Sequence, residues 1–197
     1  MHGLIFAELK KYVETKFDAK TWETLLEKSG LKGNMYIAAS VYPDSDIMAL
    51  VGTACTMTGL SAKAVLEDFG EFIAPDLVAQ YSFLIKPEWT FLDFLCNTED
   101  TIHKVVRFHQ GVTPPRLVVN RTSNDSVVIS YDSARRMCAL LKGIVKGAAK
   151  HFKEDVRILE SRCMLQGDPA CMFTVQVQTA KQRPESTAFQ KPTASPR

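Results

Sequence analysis

The chain has 197 residues, 46% of them hydrophobic, which suits one domain with a sizeable core, or one domain and a tail. A formal net charge of only +2, from 24 basic and 22 acidic residues, gives no ground for nucleic acid or an anionic membrane as the main partner. Five cysteines, an odd number, fit reduced thiols or a metal site better than a disulfide framework.

The first apolar stretch, 4–7, runs straight into Glu8, Lys10 and Lys11, so no signal-peptide core forms. No apolar run approaches the roughly 20 residues that span a bilayer. A cytoplasmic location is therefore expected. No internal repeat is present. The N-terminal half reads as helices: a broken helical periodicity over 4–13, and a second over 19–29 around Trp22, Leu25 and Leu26, closed by Gly30 and Gly33. Pro43-Asp44-Ser45 starts a helix carrying Ile47, Met48, Leu50 and Val51. Ser61 is an N-cap for 62–69, since its hydroxyl can accept from a free first-turn amide. The mixed stretch 91–108 places His103 on a helix.

After Gly111 the pattern changes. Two β-branched runs, 116–119 and 126–131, flank the polar cluster 120–125 and read as a hairpin. A strong helix is expected over 133–152, with Met137, Leu140, Leu141, Ile144, Val145 and Ala148 on its apolar side. Two further strands, 156–159 and 172–177, are joined through Gln166-Gly167-Asp168-Pro169. The expected fold is α+β: an N-terminal helical part, then an antiparallel sheet with a long helix between its hairpins. Residues 1–180 form the domain, and the proline-bearing polar stretch 181–197 is expected to be a disordered tail.

Three groups of residues could carry chemistry. Tyr131, Ser133 and Arg135 sit where a strand gives way to a helix. A phenol, a hydroxyl and a guanidinium at such a junction make an anion receptor, and the guanidinium fork matches a carboxylate. The plainer alternative is an N-cap serine and a surface arginine. His103, flanked by Ile102, Val105 and Val106, is either a satisfied core histidine or a ligand to a cofactor that needs one protein nitrogen, as haem does. Cys163 and Cys171 lie across the second hairpin, with Cys138 on the long helix. Three thiolates and a fourth ligand, Glu160 or His151, would suit zinc; free or buried thiols are the alternative. Cys55 and Cys96 fall in apolar helical segments and read as core. Gly143 and Gly147, four apart, allow close approach of a flat ligand or of another helix.

Met1-His2-Gly3-Leu4-Ile5, the His103 segment, Thr113-Pro114-Pro115-Arg116-Leu117 and Tyr131-x-Ser133-x-Arg135 occur in an order that resembles the H-NOX family of haem–nitric oxide/oxygen-binding domains, related to the haem domain of soluble guanylate cyclase. The resemblance covers about residues 1–180. It implies a b-type haem lodged between the helical part and the sheet. It implies His103 as the proximal iron ligand, and Tyr131, Ser133 and Arg135 as a clamp on the haem propionates. Pro115 resembles the proline that distorts the porphyrin, and Ile5 and Ile144 resemble members of the distal wall. Oxygen-binding members of the family carry a distal tyrosine where this chain has Leu140. A leucine offers no hydrogen bond to the charge that bound oxygen acquires, whereas nitric oxide depends on such a bond much less. The resemblance thus implies a sensor for nitric oxide, binding carbon monoxide as well, with oxygen or redox sensing on the same scaffold as the alternative.

A haem peroxidase or oxygenase needs polar distal groups, and Ile5, Leu140 and Ile144 offer none, so no enzymatic activity is expected. A 4-vinyl-reductase-like binding domain shares the look of the cysteine hairpin but lacks the histidine and the clamp. The 197 residues contain no recognisable output domain. The expected readout is a separate effector protein, such as a histidine kinase or a cyclic-di-GMP enzyme.

Overall fold

The computed structural model describes residues 1–108 and 111–178; the expected tail at 181–197 lies outside the described residues. Four helices come first: α1 (Gly3–Lys16), α2 (Ala19–Lys28), α3 (Asp44–Thr58) and α4 (Ala62–Gln80). Side chains close their first turns where the sequence supplies an acceptor: Asp18 accepts from the Thr21 amide and Ser61 from the Ala64 amide. Helix α4 is much longer than the 62–69 expected, because it continues through Gly70 and Pro75. Pro75 removes one N–H, and that leaves the Glu71 carbonyl without its usual helical donor.

The stretch 91–108 is not one helix. It divides into α5 (Phe91–Asn97), a π turn (Glu99–His103) and a short α6 (Lys104–Arg107). Helix α5 opens on a capping box between Thr90 and Asp93. The π turn is visible in the His103 amide, which donates to the Thr98 carbonyl five residues back, at 3.0 Å. Strand β1 (Arg116–Arg121) pairs antiparallel with β2 (Ser126–Asp132), and β3 (Val156–Arg162) with β4 (Cys171–Val177). The two hairpins join through β2 and β4, giving one antiparallel sheet in the order β1-β2-β4-β3. Helix α7 (Cys138–His151) connects the hairpins.

Helix α7 starts at Cys138 rather than at residue 133. The chain between is a tight turn: the Arg136 amide donates to the Ser133 carbonyl at 3.0 Å, and Arg136 takes a left-handed φ of 53°. A left-handed residue breaks a right-handed helix. Ser133 therefore is not the helix N-cap; Met137 holds that position, and its backbone is bonded to the Tyr131 phenol.

Two apolar clusters form the interior. One lies among the N-terminal helices around Phe6, Ile47, Leu50, Phe69 and Ile73 and takes in Leu140 of α7. The other lies on the sheet around Phe91, Ile102, Val127, Ile129, Phe173 and Val175. Each large side chain fully buried here contributes roughly 1.5–3 kcal/mol. Helices α4 and α7 belong to both clusters and pack on each other backbone to backbone. A Cβ on Gly143 would lie 2.1 Å from the Glu67 carbonyl oxygen, and one on Gly147 would lie 2.4 Å from that of Glu71. On the α4 side, a Cβ on Gly70 would lie 2.4 Å from the Leu140 carbonyl oxygen. These glycines serve helix packing rather than a flat ligand, and neither Gly143 nor Gly147 lines the cavity described next.

Candidate functional site

Between the two clusters the chain leaves an apolar cavity, of about 1360 Å³ counted to its open mouth. It is lined from the helical side by Ile5, Leu140 and Ile144, and from the other side by His103, Pro115 and Tyr131. Arg135 stands at its edge. Ser133 lines an adjoining polar recess that it shares with Arg135, Asp44, Arg116 and Asp132.

Residues 131–135 converge as an anion receptor would. Tyr131, at the end of β2, is buried; burial raises its phenol, while the Ser133 hydroxyl and the Arg135 charge pull the other way. The Ser133 Oγ accepts from the Arg135 amide at 3.3 Å, so the serine shapes the turn that carries the arginine. The guanidinium is 13% exposed and pairs with Asp44 Oδ2 at 3.2 Å. It also donates to the Thr113 carbonyl. A carboxylate thus already occupies one prong of the fork. Asp44 is held below the ordinary carboxylate range: burial opposes this, but the Met1 ammonium and Arg135 outweigh it. The glycine at position 3 has a local cause too, because a Cβ there would lie 2.0 Å from the Ile37 carbonyl oxygen.

His103 closes the π turn with a side chain 15% exposed. Its Nδ1 lies 2.8 Å from Glu99 Oε2. Burial lowers the imidazole value, more than Glu99 beside it raises it. Burial also pushes the Glu99 carboxyl up, but the bonds from His103 and Arg107 together bring it below its ordinary value. Both shifts describe a neutral imidazole beside an ionised carboxylate. A carboxylate can only accept, so Nδ1 carries the proton and Nε2 keeps its lone pair. A buried imidazole with a free lone pair at an apolar cavity, and a guanidinium at the cavity edge, fit a flat, apolar, dianionic iron macrocycle such as haem.

The cysteines form a second centre. Cys138 at the start of α7, Glu160 in β3, Cys163 just beyond it and Cys171 at the head of β4 bring their ligand atoms within 4.8 Å of one another. Cys138 Sγ and Cys163 Sγ are 3.8 Å apart. Burial pushes the Cys138 thiol up to about 12, with Cys171 and Cys163 adding to the shift. Of the two candidates for a fourth ligand, Glu160 is in place. His151 is exposed at the far end of α7, roughly 20 Å along the axis from Cys138. Cys55 and Cys96 are half-buried at the edges of the two clusters.

Sequence reading missed three polar residues near the cavity. Asp44, read only as a helix start, pairs with the guanidinium 91 residues away. Tyr81 lines the cavity from the end of α4, on the side of the sheet cluster. Glu99 sits four residues before His103, a spacing that was available as a signal and went unused.

The sequence model of the haem-NO-binding family matches residues 2–160. An H-NOX protein from S. oneidensis, solved in the Fe(II)NO ligation state, superposes with a TM-score of 0.85 at 26% identity, covering 91% of this chain and all of that one. The Shewanella oneidensis H-NOX domain in the Fe(II)CO ligation state gives a TM-score of 0.80 at 26% identity, covering 90% and 99%. Soluble guanylate cyclase gcy-32 of Caenorhabditis elegans is 26% identical over 170 residues, 81% of this chain, and the chain spans about a quarter (24%) of that cyclase. With the antiparallel sheet, the helical part and the cavity between them, the match places this chain in the haem-NO-binding (H-NOX) family, whose domains are haem-based gas sensors.

Proposed function

We propose that residues 1–180 act as one sensor domain that binds b-type haem and selects nitric oxide over oxygen, without catalysing a reaction. His103 offers Nε2 to the iron. Arg135, Tyr131 and Ser133 take the propionates, and Asp44 yields its place on the guanidinium or shares it. Pro115 presses on the macrocycle from the β1 side. A bound haem supplies one open iron coordination position for a diatomic gas. The observation that carries the selectivity is the apolar wall. Ile5, Leu140 and Ile144 present no donor to the cavity, and oxygen needs a donor for the charge it acquires on binding. Loss of a hydrogen bond to a charged group costs about 1.5–3 kcal/mol, roughly 10- to 150-fold in affinity. Nitric oxide, held mainly by its own bond to metal, is spared most of that loss.

His103 rides on one π turn and a single turn of α6, a short segment that can shift as a unit. We read it as the output lever, presenting one of two surfaces to an effector in trans, such as a histidine kinase or a cyclic-di-GMP enzyme. Reduced protein should bind nitric oxide and carbon monoxide and form no lasting oxygen complex in air. A long-lived oxygen complex would overturn the selectivity and favour an oxygen sensor.

We assign zinc to Cys138, Glu160, Cys163 and Cys171. Four ligand atoms within 4.8 Å of one another suit tetrahedral zinc, and three crowded thiols can ionise together only beside a cation. Metal analysis should find one zinc per chain, lost in Cys163→Ser or Cys171→Ser. Metal-free protein with freely titrating thiols would refute it. Oxidation of these thiolates would give the domain a second, redox input.

A further inference from the structure

We propose that Glu99 is a positioning residue that sets how strongly His103 donates to iron, and hence how readily the histidine lets go. The inference rests on His103 being the haem ligand.

The geometry is specific. Glu99 Oε2 lies 2.8 Å from His103 Nδ1 and also accepts the Leu117 amide of β1 at 3.2 Å. The other oxygen takes the Arg107 guanidinium. Three donors from the π turn, α6 and β1 thus fix the carboxylate, and the carboxylate fixes the imidazole. A metal-binding histidine commonly donates its second N–H to such a partner, which orients the ring and makes it more basic. Glu99 and His103, four residues apart, share one face of the π turn, and Arg107, four residues further on in α6, joins them there. Because Arg107 is itself 41% exposed, the network has a charged, adjustable outer end. Axial-ligand basicity is one of the levers by which a protein tunes haem iron. An anionic partner favours ferric over ferrous iron and strengthens the iron–histidine bond.

The test compares the haem-loaded parent with Glu99→Gln and, at the outer end of the network, with Arg107→Met. Glu99→Gln keeps a side chain of similar shape but removes the charge. It should lower the iron–histidine stretching frequency in the resonance Raman spectrum of the ferrous protein. The preference for ferric iron should fall about tenfold, a rise of about 59 mV in potential. The nitric oxide complex should shift toward the form that has lost its histidine. Arg107→Met leaves the carboxylate uncompensated and should move all three readouts the opposite way, which a merely structural role would not do. If the parent shows the iron–histidine band and neither variant moves band or potential, this inference falls and the haem reading stands. If Glu99→Gln fails to fold, Arg107→Met alone decides. A parent that takes up no haem removes the reading beneath the inference, and the inference with it.

Discussion

The two sides of the cavity are built on opposite principles. On the side formed by α1, α4 and α7, Ile5, Leu140 and Ile144 offer only shape and carry no polar atom beyond the backbone, with the phenol of Tyr81 entering at the end of α4. The side formed by the π turn, α6 and β1 carries a neutral imidazole, an ionised carboxylate and a guanidinium in one chain of contacts. An apolar wall discriminates by withholding a hydrogen bond. A polar wall acts by supplying charge to a ligand's far side. The first sets which gas is retained, and the second sets how firmly the protein holds the metal against it.

The difference can be broken from the polar side first. His103→Gly should abolish the five-coordinate ferrous spectrum, and added imidazole should restore it; a variant with the parent spectrum would remove His103 from the ligand role. Next in size is Arg135→Ala. Removing a charge-assisted partner of a propionate should weaken haem retention by about 10- to 150-fold, measured as the rate of haem transfer to an apo-acceptor; unchanged transfer would show that the clamp is elsewhere. On the apolar side, Leu140→Tyr should raise oxygen affinity by roughly tenfold at the lower end of the same arithmetic. Stopped-flow oxygen association and dissociation would show it, and an unchanged ratio would mean that wall polarity is not what selects the gas. The smallest effect on ligand chemistry should come from Gly147→Ala. Its Cβ would meet the Glu71 carbonyl and Ala74, costing about 1–3 kcal/mol of stability and lowering Tm by roughly 2–12 °C, with the ferrous spectrum unchanged. A spectral change there would show that the apolar wall shapes the haem as well as its pocket.

Much of this was legible in the sequence, for identifiable reasons. Alternation and turn chemistry located both hairpins, and the apolar periodicity located α7. The residues implied as haem contacts are widely spaced in sequence, yet all but Ser133 line one cavity, and Ser133 lies in the recess beside it. What stayed hidden was backbone irregularity and long-range pairing. The left-handed Arg136 that delays α7 has no glycine or asparagine to announce it. The π turn cannot be told from α-helix by periodicity over five residues. Helix α4 runs past 69 through Gly70 and Pro75, over a stretch where its backbone packs directly on α7. The Asp44–Arg135 pair spans 91 residues, and nothing local in either segment implies the other.

The glycine contacts between α4 and α7 have a mechanical consequence. Two walls around a bound group behave as springs in series, and strain collects in the softer one. Helices meeting through carbonyl oxygens and glycine backbone, with no side chain between them at those points, have almost no slack. The segment from Glu99 to Arg107 is nine residues long and touches the sheet through side chains that can rotate. Strain applied inside the cavity should therefore deflect the His103 segment and leave the α4–α7 pair standing, as a fixed frame against which the moving part works.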